Sequence, residues 1–98
     1  MLVFVSSPYR GNIEKNVAYA QNCCAYEMAL GNTPIAPHLL IPQFTDDDDL
    51  GIQHGLEMLE RCDCLHAWGK PSAGMRMEIE HALANGIPVT YMTGGEDD

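Results

Sequence analysis

Hydrophobic and polar positions alternate in blocks along this chain, and the blocks predict four strands and three helices. Leu2 to Ser6 is an apolar run closed by Ser-Ser-Pro, which predicts a buried strand followed by a loop. Asn12 can cap the helix that follows. Its apolar face is expected at Ile13, Val17, Ala20, Cys24 and Met28, and Gly31-Asn32 stops it. Thr33 to Ala36 predicts a short second strand ended by Pro37-His38. Leu39 to Leu50 has no clear periodicity and predicts a long irregular connection that contains the acidic run Asp46–Asp49. Ile52, Leu56 and Leu59 mark a second helix, and Cys64 to Trp68 a central strand stopped by Gly69. Ser72 caps a third helix with Met75, Ile79, Ala82 and Leu83 on its apolar side, ended by Asn85-Gly86. Ile87 to Met92 is the last strand, with Pro88 suited to its start.

Strands that alternate with helices predict a parallel sheet covered on both faces. The expected fold is therefore α/β, a Rossmann-like three-layer sandwich around a small parallel sheet. Leu2–Ser6 should be central and should lie beside Cys64–Trp68. One domain is expected over residues 1–93, followed by an acidic tail at 94–98. A chain of 98 residues has a limited core, so self-association is expected. Tyr26, Met28, Leu56, Met58 and Met77 are the apolar residues available for a homodimer.

Composition narrows the function. A hydrophobic fraction of 46% fits a packed domain, and no apolar run approaches a membrane span of about 20 residues. Met1-Leu2-Val3-Phe4-Val5 has no basic segment before it and reads as a core strand rather than a signal peptide, which predicts a cytoplasmic protein without membrane attachment. The net charge of −9 argues against a nucleic-acid binder. Half of the acids stand in Asp46–Asp49 and Glu96–Asp98, which read as a solvated loop and a solvated tail. Cys23, Cys24, Cys62 and Cys64 lack the spacing of zinc or redox sites, and the four histidines are scattered. Buried free thiols are expected, with no metal and no cofactor.

The candidate chemistry lies in two polar turns that a parallel sheet would bring to one edge. The first is Ser6-Ser7-Pro8-Tyr9-Arg10-Gly11-Asn12. It offers hydroxyls, a phenol, a guanidinium and the backbone N–H groups of a helix start, which suit a phosphate or carboxylate. It is neither a dinucleotide fingerprint nor a P-loop. The second is Ser72-Ala73-Gly74-Met75-Arg76-Met77-Glu78. Gly74 permits close approach of a ligand, and Ser72 can cap the helix or face an anion. Glu78 falls on or beside the apolar stripe, where an unpaired carboxylate costs several kcal/mol. Either Arg10 or Arg76 pairs with it, or it opens into a cleft as a nucleophile or base. Glu80 falls on the solvated side. His38 follows the second strand as a structural or ligand-contacting residue. Trp68 either stacks on a base or fills the core edge, and Asp63 reads as a turn residue.

These blocks, with Pro34-Ile35-Ala36-Pro37-His38 and Gly86-Ile87-Pro88-Val89, resemble the nucleoside 2-deoxyribosyltransferase superfamily over nearly the whole chain. Small uncharacterised bacterial and phage domains of that superfamily are the best match. The resemblance implies a flavodoxin-like sheet, usually in a dimer or larger assembly. It also implies N-glycosidase or deoxyribosyl transfer chemistry on a deoxynucleoside 5′-monophosphate. The alternative is a non-catalytic nucleotide or nucleotide-sugar binding module. By resemblance, Glu78 is the nucleophile that attacks C1′, and Ser72 matches a serine that binds the 5′-phosphate. Tyr9 is the second candidate catalytic residue. The candidate substrate-binding residues are Ser6, Ser7, Arg10, Gly11, Asn12, His38, Ser72, Gly74 and Met75. The chain departs from the pattern at one place. The characterised enzymes carry an aspartate in the helix before the strand at Cys64, and this chain has Gly55 there, with His54 beside it.

Overall fold

A computed structural model describes residues 1–92, so the expected acidic tail lies outside the described residues. The elements run β1 (Leu2–Ser6), α1 (Ile13–Ala29), β2 (Thr33–Ile35), two 3₁₀ turns (Pro37–Leu39 and Ile41–Gln43), α2 (Asp48–Leu59), β3 (Cys64–Trp68), α3 (Ala73–Ala84) and β4 (Val89–Met92). All strand pairs are parallel, in the order β2-β1-β3-β4. β1 is central and lies beside β3, as its apolar run Leu2–Val5 predicts: a strand buried on both faces has no polar side.

Strand alternation then sorts the side chains into two cores. Phe4, Leu65 and Ala67 point to one face and pack with Leu59, Met75, Ile79 and Ala82 of α2 and α3. Val5 and Trp68 point to the other and pack with Cys23 of α1. Two of the three helix starts, those of α1 and α3, are capped as the sequence predicts. Asn12 accepts from the Lys15 N–H, and Ser72 accepts from the Met75 N–H. Gly69 ends β3 in the left-handed region (φ 80°), and an added Cβ would come within 3.3 Å of the Tyr19 ring.

Several expectations need correction. The connection expected at Leu39–Leu50 is largely structured: two 3₁₀ turns occupy its first part, and α2 begins inside the acidic run. Asp47 caps α2 by accepting from the Asp49 and Leu50 N–H groups, so these acids suit the positive end of a helix rather than a loose loop. The buried line of α1 runs through Ala20, Cys23 and Glu27, while Ile13 and Met28 are exposed. The face is thus rotated by one residue, and a glutamate stands where Met28 was expected. On α3, Leu83 is exposed because Ile79 and Ala82 already define the inward line. Leu56, expected at a surface, packs against the α2–α3 core. β2 ends one residue earlier than expected, and β4 begins two residues later. No helix among the described residues is long and apolar enough to cross a membrane.

Candidate functional site

The carboxyl ends of β1 and β3 open into a cavity of about 600 Å³. The loop after β1, the 3₁₀ turns after β2, the start of α2 and the start of α3 enclose it. Open parallel sheets form such crevices where successive connections leave the sheet in opposite directions. β1 has one neighbour reached through α1 and another through α2, so its end is that point here.

Glu78 lies on the cavity wall one and a half turns into α3. Its neighbours along the helix, Met75 and Ile79, are buried in the core. Ser6, the last residue of β1, is fully buried and donates its hydroxyl to Glu78 Oε1 at 2.6 Å. Burial pushes the Glu78 carboxyl up to about 7, and the Ser6 hydrogen bond pulls against that rise. Neither Arg10 nor Arg76 pairs with it. Of the two readings the sequence left open, the ion pair is excluded and the cleft-facing carboxylate stands. Glu80 is exposed on the other side of the helix.

Ser7 lies opposite and is joined to His38 by a 2.7 Å contact between Oγ and Nε2. Burial lowers the His38 imidazole to about 4, so it is neutral at physiological pH. Tyr9 meets the His38 ring edge-on, with centroids 6.2 Å apart, and Arg10 places its guanidinium 5.4 Å from the Tyr9 ring centre. Arg10 is the only lysine or arginine on the cavity wall, and it forms an exposed ion pair with Asp48. Ser72, Ala73, Gly74 and Met75 bring the α3 N-terminus to the same cavity. A Cβ at Gly74 would meet nothing within 4 Å, so the glycine keeps that helix start uncovered.

The structure therefore brings Ser7, Tyr9, Arg10, His38, Ser72, Gly74, Met75 and Glu78 around one space. Ser6 acts from behind, through Glu78. Gly11 and Asn12 do not line the cavity, and Asn12 is engaged as the α1 cap. Trp68 is fully buried and donates to Glu27, so it is a core residue and does not stack on a ligand. Asp63 accepts from the Leu2 N–H and ties β1 to the turn before β3. Among the described residues there is no cluster of His, Cys, Asp and Glu fit for a metal ion.

Sequence reasoning missed the acidic side of this cavity. Asp46, Asp47 and Asp48 line it, together with Thr45, Gly51 and Ile52. Asp48, Gly51, Ile52 and Gly55 follow helical spacing along one face of α2. A Cβ at Gly55 would lie 3.5 Å from the Pro37 Cβ, so the helix packs closely on the first 3₁₀ turn there. Asp48, two turns earlier, is the residue through which this face offers a carboxylate to the cavity. The available signal was the run of acids before an amphipathic segment, which is a helix-start pattern.

The family described as "Domain of unknown function (DUF7768)" matches residues 1–92, and the chain belongs to it. No curated protein matches the chain. Among solved structures, a 2-desoxiribosyltransferase from Leishmania mexicana superposes with a TM-score of 0.74 at 18% identity. That match covers 99% of this chain and 65% of the other, so the chain spans just under two thirds of that relative. A 2-deoxyribosyltransferase from the psychrotolerant bacterium Bacillus psychrosaccharolyticus superposes with a TM-score of 0.67 at 19% identity, over 93% of this chain and 71% of the other. The fold is thus nucleoside 2-deoxyribosyltransferase-like and flavodoxin-like, as the resemblance implies.

Proposed function

We propose that this member of the DUF7768 family breaks or transfers the N-glycosidic bond of a (deoxy)nucleoside or its 5′-monophosphate, with Glu78 as the nucleophile. The observation that carries this reading is Glu78 itself. It is a carboxylate sunk in an apolar wall, held by one hydroxyl, and open to a cavity large enough for a nucleoside. A structural carboxylate at such depth would be expected to gather more donors.

The chemistry follows from the geometry. A glycosidic bond breaks through an oxocarbenium-like state, and an anionic oxygen close to C1′ stabilises that state and traps it as a glycosyl ester. Only the ionised form of Glu78 can attack. Burial leaves that carboxylate poorly solvated and so more basic, which favours attack. Ser6 aims it. The leaving base needs a proton, and the Tyr9 phenol is the hydroxyl donor we assign to that task. His38 is neutral and hydrogen-bonded to Ser7, so it suits sugar or base positioning better than proton delivery. Water or a second base resolves the ester.

The 5′ end of the substrate is placed at Ser72–Gly74. The α3 start is capped by an uncharged serine and left open by Gly74, whereas the α2 start carries its own aspartates. A phosphate there would compete with Asp48 for the Arg10 guanidinium. Asp46–Asp48 therefore weigh against the monophosphate and towards the uncharged nucleoside.

The test is incubation with a panel of deoxynucleosides, ribonucleosides and their 5′-monophosphates, with chromatography for released base. Base release by wild type that stops in Glu78→Gln is the expected result. Release at a comparable rate by Glu78→Gln would refute the nucleophile assignment. Saturable binding without any release would instead establish the nucleotide-binding module.

A further inference from the structure

A second constellation lies on the opposite face of the sheet, under α1 and away from the cavity. Glu27 is fully buried in α1, at a position where most helices place an apolar residue. Its Oε1 accepts from Asn32 Nδ2 at 3.0 Å, and its Oε2 accepts from Trp68 Nε1 at 3.1 Å. His66 Nδ1 lies 2.6 Å from the same Oε2. Trp68 and Asn32 are fixed donors here, so both carboxylate oxygens serve as acceptors, and Nδ1 of His66 carries the proton. That tautomer leaves Nε2 with a free lone pair. Cys64 Sγ lies 3.6 Å from Nε2, so the thiol donates to it. The order is thiol, imidazole, carboxylate: a nucleophile on a base, and the base held by an orienting acid.

We propose that Cys64, His66 and Glu27 form a nucleophilic thiol site that exchanges with small disulfides, independently of the Glu78 cavity. In the forward step the Cys64 proton passes to His66 Nε2 as the sulfur attacks one sulfur of a disulfide R–S–S–R. The S–S bond breaks, and the departing thiolate takes the proton from His66. The products are a Cys64–S–S–R mixed disulfide and one R–SH, so no outside oxidant or reductant enters. Glu27 is a positioning residue: it fixes the imidazole and stabilises its charged form during transfer.

The surroundings of Cys64 define what the site needs. Burial, with Glu27 and Asp63 nearby, raises the Cys64 thiol above its ordinary value, which by itself disfavours reaction, so the resting form is the thiol. Reaction then requires a base at the moment of attack, and His66 stands where that base is needed. Cys64 is buried, at 5% exposure, and the His66 side chain above it keeps 12%. Thr90 of β4, which pairs in register with His66 and shares its face, is exposed, so small molecules can approach past β4. The remaining cysteines lack this arrangement. Burial pushes Cys23 up to about 12 and Cys62 up to about 11, and the Cys62 thiol donates to the Met58 carbonyl.

The test is reaction of the native protein with dithiodipyridine, a small neutral disulfide, following released thiopyridone and mapping the modified cysteine by mass spectrometry. Wild type should be modified first at Cys64. His66→Asn should slow that modification by about a hundredfold, the low end of what a placed base contributes. It should leave Cys23, Cys24 and Cys62 unchanged. Glu27→Gln should slow Cys64 to a smaller degree. Mere loosening of the fold has the opposite signature, because it exposes all four thiols and speeds their reaction. Wild-type modification at Cys64 no faster than at Cys62 or at the half-buried Cys24 would overturn the proposal, as would an unchanged or faster Cys64 rate in His66→Asn. Loss of base release in Glu78→Gln bears only on the other site, so the two assignments fail separately.

Discussion

Glu27 and Glu78 are the same residue type, each on a helix that covers the sheet, each drawn into the interior, and on opposite faces. They differ in their partners. Glu27 has no exposure and faces three nitrogen groups, from Asn32, His66 and Trp68. Glu78 has one hydroxyl partner, Ser6, and the rest of its carboxyl faces a cavity. Burial pushes the Glu78 carboxyl up to about 7. The contrast teaches that depth alone does not assign a role to a carboxylate. A saturated one is an anchor that organises its neighbours. An undersaturated one is costly to the fold and available to a ligand.

The largest expected effect separates the two by activity. If Glu78 is the nucleophile, Glu78→Gln removes the attacking charge and should lower the rate of base release by about a thousandfold or more, equivalent to about 4 kcal/mol of barrier. Glu27→Gln should leave base release within a few fold. A comparable loss in both variants would break the comparison. Stability should rank the two the other way. Glu27→Ala strands the Trp68 and Asn32 donors in the core, which should cost about 3 kcal/mol in denaturant unfolding. Glu78→Ala should cost much less.

A pH series sharpens the contrast. The folded-state pKa of Glu78 is raised, so its neutral form is favoured by folding. Its contribution to stability is complete below its unfolded value of 4.5 and is lost as pH rises through about 7. The loss is on the order of 2–3 kcal/mol. Glu78→Gln should abolish that fall and should be more stable than wild type at pH 8. Base release should follow the reverse course, rising as Glu78 ionises through pH 7. A wild-type stability curve parallel to that of Glu78→Gln between pH 4.5 and 8 would contradict the raised pKa.

The smallest effect concerns the rim of the cavity. Asp48→Asn frees Arg10 and removes one negative charge, so 5′-monophosphate binding should tighten by up to about tenfold while nucleoside binding changes little. Titration calorimetry against both ligands measures it. Equal changes for both would mean that the phosphate does not reach Arg10. Stability should fall by less than about 1 kcal/mol, because both partners of the pair are exposed.

The sequence by itself determined the order of elements, the parallel sheet, the central place of Leu2–Ser6, and the caps and stops of α1 and α3. These rest on local rules: apolar runs, hydrophobic spacing, and the turn chemistry of Asn, Ser, Gly and Pro. It also placed Glu78 on the inward side of α3, because Met75, Ile79 and Ala82 leave little freedom in choosing that face. The tertiary structure decided the rest. Periodicity chose Ile13, Val17, Cys24 and Met28 for the buried side of α1, since the neighbouring line through Asn16, Ala20, Cys23 and Glu27 contains two polar residues. Glu27 is tolerated inside only because Asn32 of the turn after α1, and His66 and Trp68 of the distant strand β3, meet it. Asp48 reaches the cavity only because α2 starts inside the acidic run and docks against Pro37. A hydrogen-bond partner tens of residues away leaves no local mark at either end. Which acid is satisfied, which is exposed to a ligand and which caps a helix is therefore settled by packing, not by the pattern along the chain.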